Sequence, residues 1–500
     1  MEITFNNVQQ LNIKHLWGPK SQHVVDLSFH SERVQTSSAF FCIKGETSDG
    51  HAFIQEAIDS GATTIVGTDH QTLQTYSETF TYITFIVVEN IRQSMARLAK
   101  HVYKEPYEKL YSIGVTGTNG KTTVAGYVRS LLTLLNMPTG SIGTTGIWSH
   151  NEKLQYKKST PTTPESLDVY RIGRQLLDAG NEAAVMEVSS IALDQYRVDG
   201  IEYDVAIHTN LSEEHLEYHG TLDHYRQCKL RLFDQTKAAV VNIDDEGMAE
   251  DILRRYQGPL ITYSIYGNEQ ADLVAGDIDV SELGSTFNLS FKGQTCEVFA
   301  PVHGDYNVAN VLSAIGAALH LDFKLEDILE VLPTLEIPEG RFQVVRKPQN
   351  QTVILDYAHT PVALTRLLEE VKKLDYNRLI IMIAGIGIRD FNKMPKMARV
   401  IEGKAEEIVV TVDHPGYLDP NRIVDQVLTG FLNPTSPHIH RTLTRGEGVR
   451  RALELSGEGD LVLFTGGCIN DSQIIKGEEI PHSDMSIIEE YYSNDCPSPS

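Results

Sequence analysis

The fold is decided by Gly114-Val115-Thr116-Gly117-Thr118-Asn119-Gly120-Lys121-Thr122-Thr123. An apolar run, Leu110-Tyr111-Ser112-Ile113, leads into it, and a helical pattern from Val124 to Leu135 follows. A strand that breaks into glycines and then opens a helix aims backbone N–H groups and a positive dipole end at one spot, which suits a phosphate. Lys121 is placed to neutralise β/γ-phosphates and the Thr122 hydroxyl to sit on Mg²⁺, so ATP is the expected nucleotide. Gly117, Thr118, Asn119, Gly120 and Thr123 complete the loop. It departs from the G-x-x-x-x-G-K-[ST] pattern, because the first-glycine position falls on Val115, with Gly114 and Gly117 on either side. The plainer alternative is a tight strand–helix turn without a ligand. Strand, glycines, lysine, threonine and helix in one register favour the phosphate.

Downstream segments narrow the chemistry. Met186-Glu187-Val188-Ser189-Ser190 follows Ala183-Ala184-Val185, which puts Glu187 at the carboxyl end of a strand. Ligands bind at that edge of an α/β sheet, and a carboxylate there suits Mg²⁺, although a solvated strand-end glutamate is the bland reading. His208-Thr209-Asn210-Leu211-Ser212-Glu213-Glu214-His215 comes next, then a helix carrying Lys229. A single histidine such as His215 is more often structural than catalytic.

The chain has 500 residues, 41% of them apolar, enough for several cores. Its formal charge of −24 disfavours nucleic acid as a partner. No stretch approaches the roughly 20 apolar residues of a membrane span. The N-terminus lacks a basic segment leading into an apolar one, and five scattered cysteines show no metal-like pairing. A cytoplasmic protein with no membrane partner is expected. Short β-rich and helical runs alternate in residues 1–108, an α/β unit of its own. Residues 109–335 read as an open parallel sheet around the phosphate loop. Prolines 333 and 338 and Gly340 mark a boundary, and 336–490 read as a further α/β unit with apolar strands. Residues 491–500 are expected to be a disordered tail.

In order along nearly the whole chain, these segments resemble the Mur ligase family, in its MurE-type branch. Asp49-Gly50-His51-Ala52-Phe53-Ile54 and Ser31-Glu32-Arg33 resemble its uridine-nucleotide domain, and Thr162-Thr163-Pro164 with Glu187-Val188-Ser189-Ser190 its substrate and magnesium segments. The resemblance implies a three-domain α/β architecture: a UDP-substrate domain, a central phosphate-loop ATPase domain and a C-terminal Rossmann-like domain. It implies an ATP-dependent ligase of peptidoglycan synthesis that joins an amino acid to a nucleotide-sugar peptide through an acyl phosphate, and a monomer. Carried over residue by residue, Thr122 and Glu187 would hold one Mg²⁺, and His215 would help to hold a second. Lys229 would be N-carboxylated. Asn307, Asn310, Arg341, Asp356 and His359 would serve the nucleotide. Ser31, Arg33, Thr162, Thr163, Ser189 and Arg197 would serve the UDP-substrate.

The amino-acid pocket is where the resemblance thins. Diaminopimelate-specific members carry Asp-Asn-Pro-Arg, and here the stretch is Asp413-His414-Pro415-Gly416. Gly416 offers no fork for a distal carboxylate. The Gly-Lys-Gly-His-Glu segment of the family becomes Gly466-Gly467-Cys468-Ile469-Asn470, and Ile388 precedes Arg389-Asp390 where an aspartate is usual. With Asn470 for a glutamate, a distal ammonium also loses its partner. An amino acid other than diaminopimelate is expected, or a paralogue serving another acceptor. Folylpolyglutamate synthetase shares the central architecture but lacks the leading hundred residues. A silent nucleotide-binding protein is the alternative outside enzymes.

Overall fold

Alternate residues of each strand point to opposite faces, and here both faces are apolar, which forces helices onto both sides of the sheets. In the C-terminal part, Leu379, Ile381 and Ile383 enter one core while Ile380 and Met382 of the same strand enter another. In the N-terminal part, Phe41, Val66 and Ile86 lie in one core, and Phe40, Ile65 and Phe85 in the other. The computed structural model describes all residues except 9–10, 46–47, 157, 282, 389–390, 468–471 and 495–500. Among the described residues no helix is long and apolar enough to cross a membrane.

Contacts divide the chain into two units. The first holds Met1–Gly276, Leu289–Cys296 and Ala309–Leu335. Its N-terminal sheet contains β1 (Ile13–Trp17), β2 (Asp26–Ser28), β3 (Ser38–Phe41), β4 (Ala62–Gly67) and β5 (Thr84–Val88). Their order is β1-β5-β4-β3-β2, antiparallel at β1 and parallel elsewhere.

Eight strands wholly in this unit belong to the central sheet: β6 (Tyr111–Thr116), β7 (Thr139–Gly143), β8 (Gly146–Trp148), β9 (Lys153–Leu154), β10 (Ala183–Glu187), β11 (Tyr203–His208), β12 (Thr236–Asn242) and β13 (Leu260–Ser264). They run in the order β9-β8-β7-β10-β6-β11-β12-β13, parallel from β7 to β13. The expected parallel sheet therefore carries an antiparallel edge at β8 and β9. One apolar core runs from Phe5 and Val88 to Met186 and Val241, which is why the first two expected domains cluster as one unit.

The second unit takes Glu336–Ser500 with two short pieces of the preceding segment. Its strands are β14 (Gln343–Lys347), β15 (Gln351–Asp356), β16 (Leu379–Ile386), β17 (Glu407–Asp413), β18 (Ile439–Arg441) and β19 (Leu461–Thr465), ordered β14-β15-β19-β16-β17-β18. All pairs are parallel except β14–β15. A hairpin, β20 (Ser472–Ile475) and β21 (Glu478–Pro481), precedes a helix at Asp484–Asn494. That helix corrects the expected tail, because 491–494 are helical: Met485, Ile487, Tyr491 and Tyr492 pack on the core around Ile488 and Val449.

Candidate active site

Strand register builds the site. β6 lies between β10 and β11, with Val115 opposite Glu187 and Thr116 opposite His208. The carboxyl ends of three parallel strands thus deliver the glycine loop, a carboxylate and the Thr209-Asn210 turn to one place. Helix α1 (Lys121–Leu134) starts from Gly120 at φ +87°, a conformation that favours glycine. A Cβ on Gly117 would stand 1.9 Å from Thr209 Oγ1, and one on Gly120 2.9 Å from Asn310 Oδ1, so both positions require glycine for closeness as well.

The next turn clamps the loop. Asn119 N–H donates to Asn210 Oδ1 (3.0 Å), Thr118 N–H to the Asn210 carbonyl (2.8 Å) and Thr209 Oγ1 to the Asn119 carbonyl (2.6 Å). Lys121 Nζ folds over the loop and donates to the carbonyls of Gly117 and Thr118, both at 2.8 Å.

Glu187 is buried at 1% exposure, and its carboxylate is fixed by three donors: Thr122 Oγ1 (2.9 Å), Thr144 N (2.6 Å) and Thr144 Oγ1 (3.1 Å). Gly143 makes the room, since a Cβ there would come within 2.1 Å of Oε1. The bland reading of a solvated strand-end glutamate is thereby excluded. Lys158 Nζ reaches the carbonyls of Gly143 and Pro161, each at 2.5 Å. Burial pulls its pKa down to about 8, against the attraction of Glu187.

Lys229 is buried at the end of α2 (Leu222–Leu230), and its Nζ donates to the Gly117 carbonyl at 2.7 Å, the same oxygen that Lys121 meets. The amine also lies 4.6 Å from the centre of the Tyr225 ring. Burial, reinforced by the Lys121 charge, holds its pKa well below the usual lysine value and favours the neutral amine. His215 stands at the loop before α2 with φ +58° and its ring edge-on to Tyr225. Burial lowers its pKa first. Glu214 works against that, while Lys121 and Lys229 add to it.

Thr162, Thr163, Ser189 and Arg197 gather beside Glu187. Thr163 Oγ1 donates to the Glu187 carbonyl (2.8 Å) and lies 3.1 Å from Ser189 Oγ, and Thr144 Oγ1 reaches Thr162 Oγ1 (3.3 Å). Arg197 NH1 holds Thr160 Oγ1 and the Thr163 carbonyl, while its Nε faces Glu165 at 3.2 Å. Beside the N-terminal sheet Arg33 lines a cavity of about 390 Å³ with His30, Glu32, Asp168 and Arg171. Ser31 opens the short helix Ser31–Arg33 beside it without lining it.

Within the second unit, Asp356 accepts from Phe342 N (2.9 Å) and Ala358 N (2.7 Å), and burial raises its pKa against the pull of Arg341. The Arg341 guanidinium lies 4.9 Å from the Tyr357 ring centre, and His359 Nδ1 meets the Tyr357 carbonyl at 3.0 Å. Asn307 Nδ2 donates to the His303 carbonyl, and the His303 ring stacks on Phe342 at 5.6 Å. Arg341, Asp356, His359 and Asn307 therefore form one neighbourhood.

In the expected amino-acid pocket Asp413 is fully buried and accepts from Gln473 Nε2 (2.5 Å) and His414 N (3.0 Å). Gly416 adopts φ +61°, its N–H donates to the Ile474 carbonyl and its carbonyl accepts from Lys476 N. Arg389 and Asn470 lie outside the described residues.

Gly143, Thr144, Lys158, Thr209 and Asn210 belong to the site by geometry and are not among the residues expected from sequence. Thr209 and Asn210 were findable, since they close the strand after the glutamate-bearing one. Gly143 and Thr144 needed the knowledge that β7 pairs with β10.

Over residues 23–103, 115–318 and 340–468 the chain matches, in turn, the descriptions "Mur ligase family, catalytic domain", "Mur ligase middle domain" and "Mur ligase, glutamate ligase domain". It is 36% identical to a UDP-N-acetylmuramoyl-L-alanyl-D-glutamate–2,6-diaminopimelate ligase of Geobacillus kaustophilus, covering 93% of this chain and 94% of that one. The chain belongs to the Mur ligase family. Its members are ATP-dependent ligases that form peptide bonds, and the middle-domain match spans the glycine loop described above. Another relative, a UDP-N-acetylmuramyl-tripeptide synthetase 2 of Oceanobacillus iheyensis, is 34% identical over 97% of both chains. A solved UDP-N-acetylmuramoyl-L-alanyl-D-glutamate–2,6-diaminopimelate ligase superposes with a TM-score of 0.69 at 28% identity, covering both chains fully. The three-domain α/β architecture is thus that of the Mur ligases. A Mycobacterium tuberculosis folylpolyglutamate synthase shares the fold at 17% identity, TM-score 0.60, over 76% of this chain.

Proposed function

We propose that this chain uses ATP to join an amino acid to the free carboxylate of a UDP-N-acetylmuramoyl-L-alanyl-D-glutamate acceptor, a step of peptidoglycan assembly, through an acyl phosphate. The observation that carries the reading is the meeting of two amines, Lys121 and Lys229, and a donor-fixed carboxylate, Glu187, at one glycine loop. Acceptor carboxylate and ATP are both anions, so their encounter needs charge neutralisation and positioning more than proton transfer. Lys121 and the α1 N-terminus supply the first. In this reading Arg197, Thr163 and Ser189 position the acceptor, and Arg33, which lines the cavity with Arg171, serves its nucleotide side.

The residues fit Mg²⁺: Thr122 Oγ1 and the Glu187 carboxylate are hard oxygen donors 2.9 Å apart, in a cradle that a Cβ at Gly143 would fill. When bound, Mg²⁺ supplies Lewis-acid polarisation of phosphoryl oxygens. Lys229 suits a carbamate. Its neutral amine adds CO₂ and loses a proton, turning a buried amine into an anionic oxygen donor, with His215 as its neighbour for a second ion.

The incoming amino acid differs from diaminopimelate in this reading. A distal carboxylate wants an arginine fork, and Gly416 is held left-handed against Ile474 and Lys476 instead. The test is ATP-dependent phosphate release with the muramoyl dipeptide and a panel of amino acids including diaminopimelate, with product masses. Release with one or a few panel members other than diaminopimelate supports the proposal. Release with diaminopimelate alone overturns the pocket reading, and release with none overturns the acceptor. Unchanged activity after removal of CO₂ and bicarbonate overturns the carbamate.

A further inference from the structure

Two short helices meet α2, and the mechanism above uses none of the side chains that the three turn toward one another. His224 and Cys228 sit four residues apart on α2, hence on one face of it. Opposite them are His219, at the end of the helix Leu216–His219, and Asp194, at the end of Ser190–Asp194. Cys228 Sγ lies 3.5 Å from His224 Nε2 and 3.6 Å from Asp194 Oδ1, and these two atoms are 3.7 Å apart. A tetrahedral ion with bonds of about 2.0–2.3 Å has ligand–ligand edges of about 3.3–3.8 Å. The triangle already has those edges. His219 Nδ1 is 3.2 Å from His224 Nδ1, and one ligand atom each of His219, His224 and Cys228 fall within 4.8 Å of one another.

Outer partners orient the set. His219 Nε2 meets Ser190 Oγ at 2.9 Å, which leaves Nδ1 facing the cluster, and Tyr218 OH donates to Asp194 Oδ2 at 2.9 Å, which leaves Oδ1 inward. The Arg231 guanidinium, 3.5 Å from Asp194 Oδ1, is the cation that competes for that carboxylate. His224 is 43% exposed on its side chain, so the cluster opens to solvent, while Cys228 is buried.

We propose that His219, His224 and Cys228 form a binding site for a borderline-soft divalent cation of the Zn²⁺ class, with Asp194 beside His224 and Cys228, separate from the hard-oxygen site of Thr122 and Glu187. Two imidazoles and a thiolate select such an ion over Mg²⁺. Binding sends the Cys228 thiol proton to solvent and ties α2 to the helix Leu216–His219. Cys228 immediately precedes Lys229, so the tie fixes the segment that carries the buried amine.

The full-length protein, stripped with a chelator and kept reduced with Mg²⁺-ATP present, is titrated with Zn²⁺ against a chromophoric chelator and separately with Co²⁺. The expected result is one Zn²⁺ per chain and a Co²⁺ spectrum with tetrahedral bands and thiolate-to-metal charge transfer. Cys228→Ser should abolish the charge-transfer band, and His224→Gln, at a half-exposed position safe for folding, should weaken Zn²⁺ by about tenfold or more. Zn²⁺ binding of equal strength in wild type and His224→Gln, or a Co²⁺ spectrum without thiolate charge transfer, overturns the proposal.

Discussion

Replacing Gly143 by alanine should dismantle metal-dependent catalysis while leaving the fold standing. The added methyl would lie 2.1 Å from Glu187 Oε1, 2.8 Å from Cδ and 2.9 Å from Cγ, against the 3.4 Å at which ordinary contact begins. The carboxylate must retreat by more than an ångström. It cannot do so and keep the Thr122 and Thr144 donors, each bond to a charged group being worth about 1.5–3 kcal/mol. Misplacing a positioned group by that much costs about 100-fold in rate. The strain itself, an overpacked methyl at a strand end, costs about 1–3 kcal/mol of stability, which a 500-residue chain tolerates. Phosphate release is measured across a Mg²⁺ titration, with circular dichroism and a thermal melt as folding controls. Gly276→Ala serves as the comparison, since a Cβ there meets nothing within 4 Å. If Gly143→Ala stays within about threefold of wild type, less than 1 kcal/mol, at every Mg²⁺ concentration, Glu187 does not act through the metal.

Other substitutions probe the rest of the molecule. Arg445→Met should destabilise the second unit by about 3–5 kcal/mol in urea melts, because it strands the buried Asp484 carboxylate, otherwise held at 2.6 Å. Burial opposes the charge on Asp484, but Arg445 and His482 outweigh it and keep its pKa below the ordinary 3.8. Its stabilising contribution is therefore complete above about pH 4 and fades as pH falls toward the folded value, so the acid limb of stability should flatten in Asp484→Asn. Lys158 runs the other way: between its folded pKa of about 8 and the ordinary 10.5 the unfolded chain holds the extra proton, so stability gains as pH rises through that window. Lys158→Met should remove that rise, read as the difference between the two melting profiles. Gly416→Arg should cost about 1–2 kcal/mol for an L-residue held at φ +61°, with the Ile388 side chain also in the way, and should confer no diaminopimelate-dependent phosphate release.

The loop, its lysine, Thr122 and Glu187 were legible because each lies within one unbroken strand-to-helix passage of sequence. The apolar strands of both units were legible for a related reason: a strand covered on both faces is apolar throughout, as Leu379–Ile386 is. Gly143 and Thr144 were not, since their importance is a matter of which strand lies beside β10, and no local pattern encodes that neighbour. The cluster at His224 and Cys228 hid differently. Its spacing of four is visible on the helix, but Asp194 and His219 arrive through tertiary folding. Ser31 and Arg33 rest on likeness alone, and of the two only Arg33 lines the cavity, which also takes Asp168 and Arg171 from a distant segment. The tail was placed too early because tyrosines 491 and 492 sit among serine, asparagine and acidic residues, while packing on Ile488 carries the helix through them.

The strand order of the central sheet also has a consequence for synthesis on the ribosome. The glycine loop emerges long before its partners: Thr122 waits 65 residues for Glu187, and Asn119 waits 91 for Asn210. A nascent chain that ends between them has the loop but neither the carboxylate nor the clamp. Half-made polypeptide therefore carries an unclamped loop until β10 and β11 close on either side of β6, and Lys229 follows later still, 112 residues after the Gly117 carbonyl it meets.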